Sequence, residues 1–93
     1  LRTLKNGMKR SPATLSMYLS LLEAEIATLE SKYKTAEKCF SMAIEQSASA
    51  RVLHIAALAH DRFGRYYLLR ENNDSGYEQL RKACALYLEW GEI

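Results

Sequence analysis

The turn ENNDSG, residues 71–76, lies within the stretch IAALAHDRFGRYYLLRENNDSGYEQLRKACALYLEW, residues 55–90, and separates two helical patterns. Apolar residues on both sides of it recur every three or four positions, which is the spacing of an amphipathic helix. In the second pattern they are Tyr77, Leu80, Cys84, Tyr87 and Leu88. Asp74 is a suitable N-cap for that helix. We therefore predict one helix over about 50–70 and another from Asp74 to Gly91, antiparallel because the turn is short.

A second pair of helical patterns precedes this hairpin. Ser11 followed by Pro12 predicts a helix start, because Pro suits the first position of a helix. This helix extends over about 12–30. Its apolar stripe consists of Leu15, Tyr18, Leu19, Leu22, Ile26 and Leu29. Met17 and Leu21 widen the apolar surface, so we expect the helix to pack on two sides.

The next helix has Ser31 as its candidate cap and ends near Gln46, with residues 47–50 as a connection. Its stripe consists of Tyr33, Ala36, Phe40, Ala43 and Ile44. No segment predicts a strand. The predicted fold is therefore all-α, with two consecutive antiparallel helical hairpins at 12–48 and 50–91.

Residues 1–11 show no sustained helical period, and we interpret them as a basic arm or the end of a preceding element. Residues 1–10 contain four basic residues and no acidic one, whereas the whole chain has a net charge of +2. A nucleic-acid-binding domain normally spreads Lys and Arg over its folded surface. Nucleic acid, contacted through the arm, is therefore the least favoured class of partner. Ser11 follows Lys9 and Arg10 and precedes Pro12, so it is a candidate phosphorylation site as well as a helix cap.

The composition is that of one small globular domain. Of the 93 residues, 48% are hydrophobic and 26% charged. No apolar run approaches the roughly 20 residues of a membrane span, and we expect no membrane association. Cys39 and Cys84 lack the spacing of a zinc site or a disulfide framework, so we expect buried free thiols and an intracellular, cytoplasmic protein. Because the first residue is Leu1, we expect the chain to be part of a longer protein.

The two predicted hairpins are similar in sequence. A shift of 40 residues aligns the small–large–small series Ala36, Phe40, Ala43 with Gly76, Leu80, Ala83. Gly64 in mid-helix costs about 1 kcal/mol relative to Ala, which indicates that another helix packs closely there. Together with Phe63, Gly64 and Tyr67, this series resembles the tetratricopeptide repeat. The resemblance implies a superhelical array of stacked hairpins, although the interval exceeds the usual 34 residues and the closing Pro is absent.

A second resemblance involves HDRFGRYY at 60–67 and LYLEWG at 86–91. These segments are similar to the helical-repeat region that follows the ATPase module in large multidomain signalling kinases and related regulators. This resemblance implies a non-catalytic regulatory segment that packs on its own chain.

No residue pattern predicts an active site, a metal site or a cofactor site. His54 and His60 are six residues apart on one predicted helix and point in different directions, so they do not share a metal. The common phosphate-binding and catalytic motifs are absent. We do not expect enzyme activity.

The predicted function is protein–protein interaction or scaffolding. Tetratricopeptide-like arrays bind peptide segments or helices along a groove lined by the first helix of each hairpin. The resemblance assigns this groove to Tyr18, Leu21, Leu22, Glu25, Leu58, Asp61, Arg62, Arg65 and Leu69. Arg62 and Arg65 either bind an acidic group of the partner, pair with acids of their own chain, or stay in solvent.

The ends of such an array are a second candidate surface, because each hairpin buries its apolar faces only against neighbours. Tyr87 and Trp90 make the last helix apolar on more than one side, and Met17 and Leu21 do the same for the first. We expect exposed apolar surface at one or both ends. This apolar surface is then covered by an adjoining repeat, by another protein or peptide segment, or by a second copy of the chain.

Overall fold

The computed structural model describes residues 12–91, which form four α-helices; the predicted arm and Ser11 lie outside this range. The helices are α1 Pro12–Leu29, α2 Tyr33–Ala50, α3 Leu53–Leu69 and α4 Asn73–Gly91. No strand occurs within the described range. Helix α1 packs against α2 and α3 against α4, and α3 also contacts α2 and α1. The prediction of an all-α chain with two helical hairpins is confirmed, with the hairpins at 12–50 and 53–91.

The first interhelical turn is a Schellman motif. Ser31 adopts a left-handed backbone conformation with a φ of 62°. Its N–H donates to the carbonyl oxygen of Thr28 at 3.1 Å, and the N–H of Lys32 donates to that of Ala27 at 2.8 Å. These two hydrogen bonds satisfy carbonyl groups that the end of α1 would otherwise leave unpaired.

The second and third turns repeat this geometry at intervals of 20 residues. Arg51 and Glu71 have φ values of 60° and 62°. The matching hydrogen bonds run from Arg51 N–H to Ala48 O, Val52 N–H to Ser47 O, Glu71 N–H to Leu68 O and Asn72 N–H to Tyr67 O. The residue after each left-handed residue already accepts the first hydrogen bond of the next helix. Every connection is therefore very short.

This geometry corrects two predicted N-caps. Ser31 is the left-handed residue of its turn, and Lys32 takes the N-cap position without a side-chain hydrogen bond. Asp74 lies in the first turn of α4. The side-chain oxygen of Asn72, two residues earlier, accepts the N–H of Ser75 at 3.5 Å.

The predicted connection at 47–50 is wrong, because these residues form the last turn of α2. Ser47 is fully buried, and its hydroxyl donates to the carbonyl oxygens of Ala43 at 2.8 Å and Ile44 at 3.0 Å. The helix itself satisfies this hydroxyl, so the Ser and Ala residues here continue the helix rather than end it.

An aromatic cluster between α2 and α3 forms the centre of the core. Phe40 is 1% exposed, and its ring centroid lies 5.1 Å from that of Phe63 and 5.6 Å from that of Tyr66. Tyr67 stacks on Phe63 at 4.5 Å. The Tyr66 hydroxyl donates to Glu37 Oε2 at 2.7 Å. Burial, and then this contact with Glu37, raises the pKa of Tyr66.

The apolar stripe predicted for α4 is only partly correct. Leu80 and Tyr87 are half-buried, whereas Tyr77, Cys84 and Leu88 are exposed. Gly76 and Ala83 are the buried residues of this helix. Helices α3 and α4 pack tightly, so only small side chains of α4 fit against α3. The bulkier side chains of α4 therefore lie on its flanks. The close packing expected at Gly64 is confirmed, since this residue is buried too.

Both cysteines are free, but only one is shielded from solvent. Cys39 is half-buried, and burial raises the pKa of its thiol. Cys84 is exposed on the flank of α4, which corrects the expectation that both thiols are buried.

Candidate partner-binding surface

Helix α1 buries one side only, which corrects the expectation that it packs on two sides. Its buried residues are Met17, Ser20, Leu21, Ala24 and Ala27. Three of these five are Ala or Ser, which let α2 approach closely; Ala36 and Ala43 of α2 lie fully buried in the same core. The apolar stripe identified from the helical period therefore lies on the outside. Leu21, assigned to the groove, belongs to the core at 5% exposure.

The outer stripe of α1 is the largest apolar feature that the described residues expose on one helix. It consists of Leu15, Leu19, Leu22, Ile26 and Leu29, which are 40%, 48%, 55%, 44% and 85% exposed. At 1.5 Å per residue the stripe extends over about 21 Å. Tyr18, 42% exposed, lies beside it. Single exposed apolar residues are common, but a contiguous row of this kind is typical of a binding surface.

Helix α4 has a different outer side. Opposite Gly76 and Ala83 lie the exposed residues Glu78, Arg81 and Ala85, with Lys82, Glu89 and the exposed Leu88 to either side of them. Lys82 Nζ is 3.5 Å from Glu78 Oε2. The structure shows exposed apolar surface at α1, but on the outer stripe and not on the side of Met17 and Leu21, which are buried. The corresponding side of α4 is mainly charged and includes the exposed Leu88.

The charged residues assigned to the groove pair with one another. Arg62 Nη1 lies 2.8 Å from Glu25 Oε2, and this ion pair links α3 to α1. Arg65 Nε lies 2.9 Å from Asp61 Oδ1, and this hydrogen bond raises the pKa of Arg65. Both arginines therefore pair with acidic residues of their own chain, which was one of the three alternatives for them.

The apolar residues assigned to the groove have different surroundings. Leu58 is partly buried and packs against the core. Leu69 is 78% exposed at the end of α3. Tyr18 and Leu22 are exposed on α1. The apolar character of this region therefore comes mainly from α1, where Leu22 is the central residue of the outer stripe.

Tyr87 and Trp90, assigned to the end face, lie beside α3. Tyr87 is half-buried, and burial, followed by the negative charge of Asp61, raises its pKa. The Trp90 ring centroid is 5.5 Å from that of His54, and the Trp90 side chain is 55% exposed. Trp90 thus contacts its own hairpin and keeps half of its surface in solvent.

No family model, no curated protein and no solved structure matches this chain. None of the helices described here has both the length and the apolar character needed to cross a membrane. Within residues 12–91, no group of three or more His, Cys, Asp or Glu side chains is arranged to hold a metal ion.

His60 links α3 to α4 in a way that the sequence did not indicate. Its Nδ1 atom is 2.6 Å from Oε1 of Gln79. Burial lowers the pKa of His60, and the nearby Lys82 has the same effect. This contact joins two helices, and the partner of the histidine is an amide rather than a second titratable group. The geometry is that of a histidine with a structural role.

The outer stripe includes only one residue that sequence reasoning assigned to a binding site, Leu22. The helical period places Leu15, Leu19, Ile26 and Leu29 in one apolar stripe but does not decide whether that stripe is buried. The signal that separates the two sides of α1 is the series Ser20, Ala24 and Ala27. These small residues share one side of the helix, where another helix can approach closely.

Proposed function

We propose that this chain is a protein-interaction or scaffolding module whose binding surface is the outer stripe of α1. The observation that carries the proposal is a row of five large aliphatic side chains, 40–85% exposed, on a helix whose opposite side is buried. A partner that covers them removes apolar area from water, which is favourable by about 25 cal/mol per Å². Association at this surface is therefore favoured by the side chains themselves.

We also propose that the two hairpins are tetratricopeptide-like units of a longer array. The turns at Ser31, Arg51 and Glu71 share one geometry. Helix α3 contacts both helices of the first hairpin, an arrangement expected when successive hairpins stack in a solenoid. In such an array, the outer side of α1 is where a preceding hairpin or a partner packs.

The alternative is a non-catalytic regulatory segment of a multidomain signalling kinase or ATPase. In that case the outer stripe is covered by another part of the same polypeptide. The exposed aliphatic row supports both functions, and they differ only in which chain supplies the cover.

Site-specific photocrosslinking in the native cell distinguishes the two. A photoreactive amino acid replaces Leu22, at the centre of the outer stripe. The matched control carries it at Ala85, which is exposed among the charged residues of the outer side of α4. Since both positions are exposed, we expect both variants to fold.

We expect an adduct with a second protein from position 22 and none from position 85. An adduct between position 22 and the same polypeptide supports the regulatory alternative. Equal labelling at the two positions, or no adduct at position 22, argues against the outer stripe as the binding surface.

A further inference from the structure

The outer stripe follows the heptad spacing of a coiled-coil seam. Its residues lie at intervals of four, three, four and three along α1. In the heptad notation a to g, Leu15, Leu22 and Leu29 occupy d positions, and Leu19 and Ile26 occupy a positions. A stripe confined to a and d positions is narrower than the apolar face that a helix turns toward a globular core. This geometry matches a partner that is itself an α-helix.

The charged residues at the positions that flank this seam are all glutamates, and two of the three form ion pairs with cations of their own chain. The e positions are Ser16, Glu23 and Glu30, and the g positions are Tyr18 and Glu25. Helix α1 itself contains no Lys or Arg. Glu23 is exposed, Glu30 lies 3.2 Å from Lys32 Nζ, and Glu25 pairs with Arg62. The carboxylates therefore lie where the side chains of a docked helix would meet them.

This arrangement disfavours a second copy of the chain as the occupant. Parallel helices set g positions against e positions, so Glu25 of one copy would lie opposite Glu30 of the other. In an antiparallel pair that keeps Leu29 in the seam, e meets e and g meets g, so Glu23 and Glu25 each meet their own counterparts. Like charges at these positions destabilise pairing, whereas opposite charges select a partner.

We propose that the outer stripe docks one amphipathic helix of a partner protein whose a and d positions are Leu or Ile and whose e and g positions are Lys or Arg. This inference rests on the proposed function, since it specifies the partner of the same surface. The apolar seam supplies affinity. Glu23 supplies selectivity through an ion pair with the partner, and Glu25 and Glu30 add to it by sharing their carboxylates between Lys32 or Arg62 and the partner's cations.

Two synthetic peptides of three heptads test the charge requirement. Both have Leu at a and d, and they differ only in having Lys or Glu at e and g. We expect the Lys peptide to bind about tenfold or more tightly than the Glu peptide at low salt, from several small pairwise contributions. The difference should shrink as salt is raised, because these charges are exposed.

Variants of the chain assign the binding to the outer stripe. Leu22→Glu should abolish binding of the Lys peptide, whereas Ala85→Glu on the outer side of α4 should leave it unchanged. Glu23→Lys should reduce the preference for the Lys peptide without weakening binding of the Glu peptide. Circular dichroism of each variant checks that its helical fold is retained.

Equal binding of the two peptides would overturn the inference and leave the apolar binding surface standing. If neither peptide binds but Leu22 still forms a crosslink to another protein, the inference is likewise overturned and the apolar binding surface still stands. A dimer that Leu22→Glu disrupts would identify a second copy as the occupant and overturn the inference. Binding of the Lys peptide only after residues 1–11 are deleted would assign the seam to the chain's own basic arm. Failure of the proposed function itself is distinct, because it is the absence of any Leu22 crosslink.

Discussion

Gly64 of α3 and Gly76 of α4 face each other so closely that neither position has room for a Cβ atom. A Cβ on Gly64 would lie 2.9 Å from the carbonyl oxygen of Gly76, and one on Gly76 would lie 3.0 Å from that of Gly64. In the first hairpin, Ala24 and Ala36 stand 40 residues before these glycines and are both fully buried. The backbones of α3 and α4 therefore approach each other closely at these two glycines.

Gly64→Ala should destabilise the protein by about 1–2 kcal/mol, because overpacking against backbone outweighs the roughly 1 kcal/mol gain in helix propensity. Urea denaturation measures the change in the free energy of unfolding. The control is Ala85→Gly in exposed helix, which should lose about 1 kcal/mol through propensity alone. A stabilising effect of Gly64→Ala would contradict the close backbone contact.

Glu71→Gly should stabilise the protein by about 0.5–1 kcal/mol. Glu71 has a φ of 62°, and Gly adopts this left-handed conformation without the steric cost that a Cβ imposes. Glu78→Gly, in the helical part of α4, is the matched control and should destabilise by about 1 kcal/mol. If both substitutions lower the thermal midpoint, the left-handed turn is not a source of strain.

Phe40→Ala should destabilise by about 3 kcal/mol or more, because it removes a buried ring that stacks on Phe63 and leaves a cavity. Arg62→Ala removes only an exposed ion pair with Glu25 and should cost no more than about 0.5 kcal/mol. Chemical denaturation of both variants measures the contrast. Similar losses for the two would show that the aromatic cluster is not the centre of the core.

Stability should fall as the pH drops below about 6.5, in part because of His60. The unfolded chain has a His pKa near 6.5, and burial lowers the pKa of His60 in the folded chain. The folded state therefore binds fewer protons, and its stability decreases as pH falls from that value toward the folded-state pKa. The contribution of His60 to the pH dependence of stability should disappear in the His60→Gln variant and remain in the His54→Gln variant. An NMR titration of His60 with a midpoint above 6.5 would refute this account.

The four helical segments follow from local signals. The polar ENNDSG segment at 71–76 and the three-to-four-residue apolar period predict the second hairpin, because both signals act over one or two helical turns. The last four residues of this segment belong to the first turn of α4 rather than to the connection. Helix ends are less well determined by such signals. Two serines illustrate this. The Ser47 hydroxyl is satisfied within α2, so this residue continues the helix, whereas Ser31 adopts a left-handed conformation in the turn.

The orientation of α1 depends on tertiary structure. Its two sides are both apolar, so the helical period identifies an amphipathic helix without deciding which side is buried. Ser20, Ala24 and Ala27 decide it, because small side chains let α1 approach α2 closely and bury more contacts than the bulky leucines would allow. The amino-acid sequence alone thus determines an all-α chain of two hairpins. Close packing between helices then leaves Leu15, Leu19, Leu22, Ile26 and Leu29 exposed to solvent.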